Sequence, residues 1–200
     1  MSPVTSSSPS VLPMAVTNIL SAYLSEKNQE LLIGIIISFV VWNVINLVVM
    51  NLSIPDKHLK WEDRIDLRNR IVSIIHGSTS MIMSGYNTYF VHSQCGEHNT
   101  SFEEFLLIFS NGYFAYDLVA MAYLGILDKS MFIHHNICVI GLSSGLFTGF
   151  GADILIGALF LTEISNPAMH IRVIMRLLDK RYTKCYEYAE LTYMRKSLNL

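Results

Sequence analysis

The chain has 200 residues, of which 52% are hydrophobic and 15% charged, and its mean hydropathy is +0.40. This composition is more apolar than that of ordinary soluble domains and excludes an average soluble enzyme. A net charge of −2 excludes the strongly basic balance that nucleic-acid binding needs. The three cysteines lack CxxC spacing, which excludes a disulfide framework and a cysteine-based zinc site.

Long uncharged runs predict an all-α fold, a polytopic transmembrane helical bundle of about five spans. The first run, residues 31–52, contains no charged residue and no histidine, and it is long enough to cross a hydrocarbon core of about 30 Å. The other predicted spans, in chain order, are residues 71–91, 105–127, 131–150 and 154–175.

The same runs divide the chain into four parts. Residues 1–30 are predicted to be a flexible tail without a cleaved signal peptide, because no basic cluster precedes an apolar stretch there. Residues 31–54 form the first transmembrane helix, residues 61–176 form a helical core, and residues 177–200 form a polar C-terminal segment.

Lysine and arginine concentrate in alternate connections. Five lie between the first two spans (Lys57, Lys60, Arg64, Arg68 and Arg70), Lys129 follows the third span, and residues 172–184 contain five more. Residues 91–104 and 149–153 contain none. The positive-inside rule therefore predicts a lumenal N-terminus and a cytoplasmic C-terminal segment. The sequon at Asn99 then faces the lumen and predicts a glycoprotein, whereas the sequon at Asn51 faces the cytoplasm.

Ionisable residues enter every predicted span except the first. Each costs about 2.5 to 3.5 kcal/mol at the centre of a helix on insertion scales, so these residues are candidates for function. Asp117 and Glu163 fall near mid-depth, whereas His76, His134 and His135 lie closer to the cytoplasmic ends of their helices. This layering predicts a pocket that opens to the cytoplasm, with imidazoles near its mouth and carboxylates at its floor.

The adjacent pair His134 and His135 is the sharpest local feature. Neighbouring helical positions diverge by about 100°, so at most one of the two imidazoles can act on a substrate. A general base oriented by Asp117 or Glu163 is one interpretation, and two structural histidines at the membrane interface are the alternative. Tyr113 lies one turn before Asp117 on the same helix face. No HxxxH or HExxH spacing is present, so no metal site is predicted.

The last predicted span carries a second polar group. Glu163, Asn166 and His170 fall on one helix face. Pro167 predicts a kink, because its ring lacks an N–H and clashes with the Glu163 carbonyl. For Arg172 two roles stay open, which are snorkelling to phosphates and binding an anionic head group or the phosphates of acyl-CoA.

Four segments taken together resemble the TLC-domain family of multi-pass membrane proteins, which includes the ceramide synthases. They are WEDRIDLRNRIVSIIHG at 61–77, GYFAYDL at 112–118, HHN at 134–136 and TEISNPAMHIR at 162–172. The resemblance covers about residues 61–176 and is nearest to the TLC domain-containing protein 5 type, through Glu163, Asn166, Pro167 and Arg172. Family members usually continue with further helices, so the resemblance implies a shortened chain.

The resemblance implies a role in lipid homeostasis, with the endoplasmic reticulum as the expected location and membrane lipids as the expected partners. One hypothesis is lipid binding in a cavity between helices, with lipid contacts from His76, Tyr113, Asn166, His170 and Arg172. The alternative is an acyl-CoA-dependent lipid N-acyltransferase of ceramide-synthase type, in which acyl-CoA is the cosubstrate and the catalytic candidates are His134, His135, Asp117 and Glu163.

One departure from the ceramide-synthase pattern bears on this choice. In those enzymes the double histidine is followed by a second, acidic motif that contains His-Asp, and this chain has Glu163 to Asn166 in that region. The missing motif favours lipid binding, whereas the retained histidine pair favours chemistry. Whether the chain is an enzyme, and whether it forms oligomers, both stay open at this point.

Overall fold

The computed structural model describes residues 25–55, 58–91 and 96–198. Most of the predicted flexible tail, residues 1–24, lies outside the described residues, as do Lys57 and Cys95. The described residues form seven helices: α1 (Glu26–Met50), α2 (Trp61–Phe90), α3 (Ser101–Leu124), α4 (Lys129–Thr148), α5 (Ala152–Glu163), α6 (Asn166–Leu177) and α7 (Lys184–Leu198). The predicted all-α fold is confirmed.

Four helical segments in the described part of the chain are long and apolar enough to cross a membrane. They are α1, α3, α4 and the stretch Ala152–Leu177 that α5 and α6 form together. The remaining predicted span, residues 71–91, corresponds to the C-terminal part of α2, a helix of 30 residues that is less apolar than the other four. The chain is therefore an integral, multi-pass membrane protein built as a helical bundle.

Helix α1 begins one turn earlier than predicted, because Ser25 caps it. The Ser25 hydroxyl accepts a hydrogen bond from the Asn28 amide at 3.3 Å, and Glu26 lies in the first turn, where the helix dipole favours negative charge. The helix packs against α3, where Ser38 and Trp42 both donate to the Phe109 carbonyl, at 3.1 and 3.2 Å. Most of its other side chains face outward.

Helix α2 is the central helix and packs against α1, α3, α5 and α6. One face of α2 carries six buried polar side chains spaced three or four residues apart: Asn69, Ser73, His76, Ser80, Ser84 and Asn87. We call this face the polar stripe of α2. It meets polar groups of α3, since Ser80 and Ser110 hydroxyls lie 3.1 Å apart and Asn87 donates to Glu103 at 3.4 Å. Such interhelical hydrogen bonds explain how a helix of low hydropathy packs inside the bundle.

The connections α1–α2 and α3–α4 and the C-terminal end of α6 lie at one end of the bundle, which we call the basic end. There Arg68 donates to the carbonyls of Val49, Met50 and Leu52 and closes the last turn of α1. At the opposite end, the N-termini of α1 and α3 are joined by an ion pair of 2.6 Å between Lys27 and Glu104.

The kink predicted at Pro167 is confirmed as a complete break. Helix α5 ends at Glu163, and α6 starts at Asn166 with Pro167 in its first turn. Proline is favourable at this position. The backbone N–H groups of the first helical turn have no acceptor within the helix, so the N–H that proline lacks is not needed there.

Candidate functional site

A polar cavity of about 280 Å³ lies among α2, α3, α4 and the α5–α6 break, in the half of the bundle nearer the basic end. Eight of the residues singled out from the sequence line it: His76, Tyr113, Asp117, His134, His135, Glu163, Asn166 and His170. The lining also includes Ser73, Phe114, Ser130, Met131 and Met169. The structure thus brings these candidates together, while their binding and catalytic roles stay predictions.

The cavity contains a buried histidine–carboxylate pair. His135 Nε2 lies 3.6 Å from Asp117 Oδ2, and both side chains are only 3% exposed. Asn69 donates to the other oxygen, Asp117 Oδ1, at 2.9 Å, and it accepts from the Tyr116 hydroxyl at 3.5 Å. Asn69 of α2 therefore holds one carboxylate oxygen of Asp117. The other oxygen is directed toward the imidazole of His135 on α4.

The two adjacent histidines diverge as the helical geometry predicts. His135 is buried, whereas the side chain of His134 is exposed and lies 3.7 Å from Cys138 Sγ. Both residues contribute to the cavity wall, but only His135 reaches a carboxylate. His135 is consequently the better placed of the two for general base chemistry.

Glu163 ends α5 and is held at the helix break. Asn166 donates to Glu163 Oε2 at 2.9 Å across the break, and the Glu163 side chain is buried. Gly77 of α2 lies directly against this carboxylate, because a Cβ at Gly77 would come within 2.9 Å of Oε2. The close approach of α2 to the break thus depends on a residue without a side chain.

His76 lines the cavity and is almost completely buried. Its ring stacks on the Tyr113 ring with centroids 3.7 Å apart and an interplanar angle of 6°, and Trp42 packs edge-on against it at 5.5 Å. The Ser80 hydroxyl lies 3.0 Å from His76 Nε2. His76 therefore joins the polar stripe of α2 to an aromatic cluster that forms the inner wall.

Arginines occupy different places from those the sequence suggested. Arg172 does not line the cavity, since α6 directs it toward α7, where it lies 3.9 Å from Glu190. Arg70 lies at the edge of the cavity instead, with Nη1 3.4 Å from His170 Nδ1 and Nε donating to Asp66 at 2.9 Å.

Asn69, which holds Asp117, is a residue that sequence reasoning missed. It lies outside the predicted span, which starts at residue 71, and an uncharged amide carries no strong functional signal. Its position on the polar stripe, one helical turn before Ser73, is the pattern that would have indicated it.

The predicted glycosylation site, Asn99, lies at the opposite end of the bundle from the cavity. Its amide nitrogen donates to the Gly145 carbonyl at 2.8 Å, and its oxygen accepts from the Ala152 amide at 3.2 Å. Asn99 thereby bridges the end of α4 and the start of α5, a structural role that the sequon did not indicate.

Within the described ranges, no group of three or more His, Cys, Asp and Glu side chains is arranged to hold a metal ion. The cavity holds two carboxylates and four imidazoles, which five helices, α2 to α6, contribute. These groups can accept hydrogen bonds and move a proton, and they can do so in a site largely shielded from bulk water.

The family model of the TLC domain matches residues 66–194. The chain belongs to the TLC-domain family. The match contains every residue that lines the cavity and extends through α6 into α7, beyond residue 176, where the sequence resemblance ended. Helix α1 precedes the match. No solved structure matches this chain.

Proposed function

We propose that this TLC-domain protein binds a membrane lipid and acts in lipid homeostasis, with the lipid head group in the polar cavity. One observation carries the proposal: ionisable side chains from α2, α3, α4 and the α5–α6 break converge on a single cavity inside an apolar bundle. Polar groups are costly at membrane depth, and they persist where they line a functional cavity.

The charge of the lining supports a particular class of head group. Asp117 and Glu163 are acidic, and no Lys or Arg belongs to the described lining. A phosphate placed between two carboxylates would be repelled, whereas a hydroxyl or amine can donate hydrogen bonds to them. The cavity therefore favours a neutral or cationic lipid whose head group carries hydrogen-bond donors.

Direct binding can be measured with purified protein in nanodiscs and photoactivatable lipids. We expect a long-chain amino alcohol probe to label the protein, and a phosphatidic acid probe of the same chain length to label it weakly. Glu163→Gln should reduce labelling by the amino alcohol, whereas Asp153→Asn, the same change at the other end of α5, should leave it unchanged. Equal labelling of wild type and Glu163→Gln would contradict the proposal.

The role in cells can be tested by lipidomics of cells that lack the protein. Wild-type protein and Asp153→Asn should restore the lipid profile, whereas Glu163→Gln should be expressed and inserted without restoring it. A profile that does not change when the protein is removed would argue against a role in lipid homeostasis.

An acyl-CoA-dependent lipid N-acyltransferase is the second candidate, and the contact between His135 and Asp117 favours it. In this reaction His135 takes a proton from the lipid amine as its nitrogen attacks the acyl thioester, and Asp117 orients the imidazole. Acyl-CoA is the cosubstrate, and free coenzyme A is the second product.

This alternative is tested by release of coenzyme A from acyl-CoA in the presence of a long-chain amine. His135→Ala should lower the rate by about 10²-fold, and His134→Ala should lower it less, because only His135 contacts the carboxylate. Folded protein that binds the amine but releases no coenzyme A would leave lipid binding as the function.

The proposal also includes the endoplasmic reticulum as location, a lumenal N-terminus and a glycan at Asn99. The basic end of the bundle is the expected cytoplasmic side. Asn99→Gln should abolish a mobility shift that is sensitive to glycosidase, and Asn51→Gln should not. The reverse result would invert the topology.

The arrangement of Glu163, Asn166 and Pro167 at the helix break supports the finer assignment to the TLC domain-containing protein 5 type.

A further inference from the structure

A second cavity, an apolar groove of about 230 Å³, lies between α4 and α5. Its walls are mainly aliphatic and include Ile137, Leu142 and Leu159, and the small residues Gly141 and Ala158 leave space between the helices. Phe114 and His134 line both the groove and the polar cavity, so the two spaces meet at these side chains.

The groove contains a thiol beside an imidazole. Cys138 Sγ lies 3.7 Å from His134 Nε2, one helical turn apart on α4, and both residues line the groove. A thiol becomes a strong nucleophile when a neighbouring base takes its proton. The imidazole of His134 is within hydrogen-bond distance of the thiol and can act as such a base.

The groove fits an acyl chain attached to this thiol. A chain bonded to Sγ would lie along aliphatic walls, and Ile137 at the rim is 64% exposed on the outer surface of the bundle. A chain in the groove gains van der Waals contact with these packed walls, which an exposed cysteine elsewhere on the surface does not provide.

We propose that Cys138 is a site of S-acylation, with His134 as the base and the α4–α5 groove as the binding site for the acyl chain. His134 Nε2 takes the thiol proton, and Cys138 Sγ attacks the carbonyl carbon of a long-chain acyl-CoA thioester. The bond from that carbon to the sulfur of coenzyme A breaks, and the departing thiolate takes the proton from His134. The products are S-acyl-Cys138 and free coenzyme A, and no oxidant or reductant takes part.

The positions of the cysteines allow a direct assignment of the acylated residue. Complete tryptic cleavage places Cys95 in peptide 71–129, Cys138 in peptide 130–172 and Cys185 in peptide 185–195, so each peptide carries one cysteine. Full-length protein in nanodiscs is incubated with palmitoyl-CoA that carries a terminal alkyne. The peptides are then analysed by mass spectrometry before and after neutral hydroxylamine, which cleaves thioesters.

We expect the label on peptide 130–172 and its removal by hydroxylamine. Cys138→Ala should abolish this label, whereas Cys185→Ala should keep it, because Cys185 is exposed on α7 and lies outside the groove. His134→Asn should slow labelling by about 10²-fold. Label confined to the peptides of Cys95 or Cys185, or no label on wild-type protein, would overturn the proposal, and neither result depends on how a variant folds.

Two glycines provide a matched test of the groove. An added Cβ at Gly141 or at Gly157 meets no atom within 4 Å, but only Gly141 lines the groove. Gly141→Leu should lower labelling by palmitoyl-CoA about tenfold and spare labelling by acetyl-CoA, since only the long chain needs the groove. Gly157→Leu should behave like wild type. Equal palmitoyl labelling of both variants would show that the groove does not hold the chain.

Discussion

Helices α1 and α2 are neighbours in the bundle, but they differ in the polarity and burial of their side chains. Helix α1 is apolar around its whole circumference, and it exposes side chains such as Ile37 and Leu47 by 58% and 61%. Helix α2 buries polar side chains from Asn69 to Asn87, including Ser80 and Ser84, which are completely buried. In a bilayer an apolar side chain gains little from leaving the lipid, whereas a polar one must find a partner inside the protein.

The comparison separates two contributions to the protein. Helix α1 supplies lipid-facing surface and joins α3 through an extensive contact that includes Ser38, Trp42 and Gly112. Helix α2 supplies His76 to the cavity and holds Asp117 through Asn69. An apolar substitution should therefore be tolerated on the surface of α1 and damaging on the polar stripe of α2.

Ser80→Leu should give the largest effect. Ser80 is completely buried between His76 and Ser110, so leucine would overpack the contact and remove hydrogen bonds to both side chains. We expect a loss of about 3 kcal/mol in the free energy of unfolding, seen as a lower Tm in detergent. Ile36→Leu on the exposed face of α1 is the control and should keep the wild-type Tm. Comparable Tm values for the two variants would refute the contrast between the helices.

Gly112→Val tests the contact by which α1 is attached. A Cβ at Gly112 would overlap the Ser38 side chain and lie 2.8 Å from the Phe39 backbone nitrogen, so α1 must move away from α3. The expected loss is about 2 kcal/mol, with easier proteolysis of α1 than of the other helices. Gly141→Ala, where an added Cβ meets nothing within 4 Å, should have no such effect. A wild-type proteolysis pattern for Gly112→Val would show that this contact does not hold α1.

Gly77→Ala tests whether the packing of α2 controls the cavity. The added methyl group would come within 2.9 Å of Glu163 Oε2, which accepts from Asn166, and would displace the carboxylate. We expect a several-fold weaker binding of the amino alcohol probe and a change of less than about 1 kcal/mol in stability. Gly157→Ala is the control, and it should bind the probe like wild type. Unchanged binding of the amino alcohol probe by Gly77→Ala would show that the position of Glu163 does not affect lipid recognition.

Trp42→Phe should have a small effect on the free energy of unfolding. Phenylalanine keeps most of the packing against His76 and Phe109, but it cannot donate to the Phe109 carbonyl as Trp42 Nε1 does at 3.2 Å. One hydrogen bond contributes about 1 kcal/mol, so the Tm should fall slightly. The carbonyl retains the Ser38 donor at 3.1 Å, so a loss well above this value would indicate that Trp42 also positions His76.

The sequence indicated residues that line the cavity where charge interrupted an apolar run, and their roles stay predictions. Asp117, Glu163 and the histidines carry a strong signal, because ionisable groups at membrane depth need a reason to be there. Asn69 carries no charge and Arg70 fits the positive-inside pattern, so only the packing of α2 shows that both lie beside the cavity. Arg172 is the opposite case. It is charged and lies close to the site in sequence, but its side chain is directed toward α7 and does not line the cavity.

The amino-acid sequence by itself determined the all-α membrane bundle, the α5–α6 break at Pro167 and the residues that cannot face lipid. These follow from local properties, which are hydropathy over a helix length, the geometry of proline and the cost of charge in hydrocarbon. Only the tertiary structure decided that His135 and not His134 meets Asp117, and that Cys138 lies in a groove beside His134. Those contacts depend on the rotation and approach of separate helices, which small residues such as Gly77 and Gly112 set through packing across the bundle.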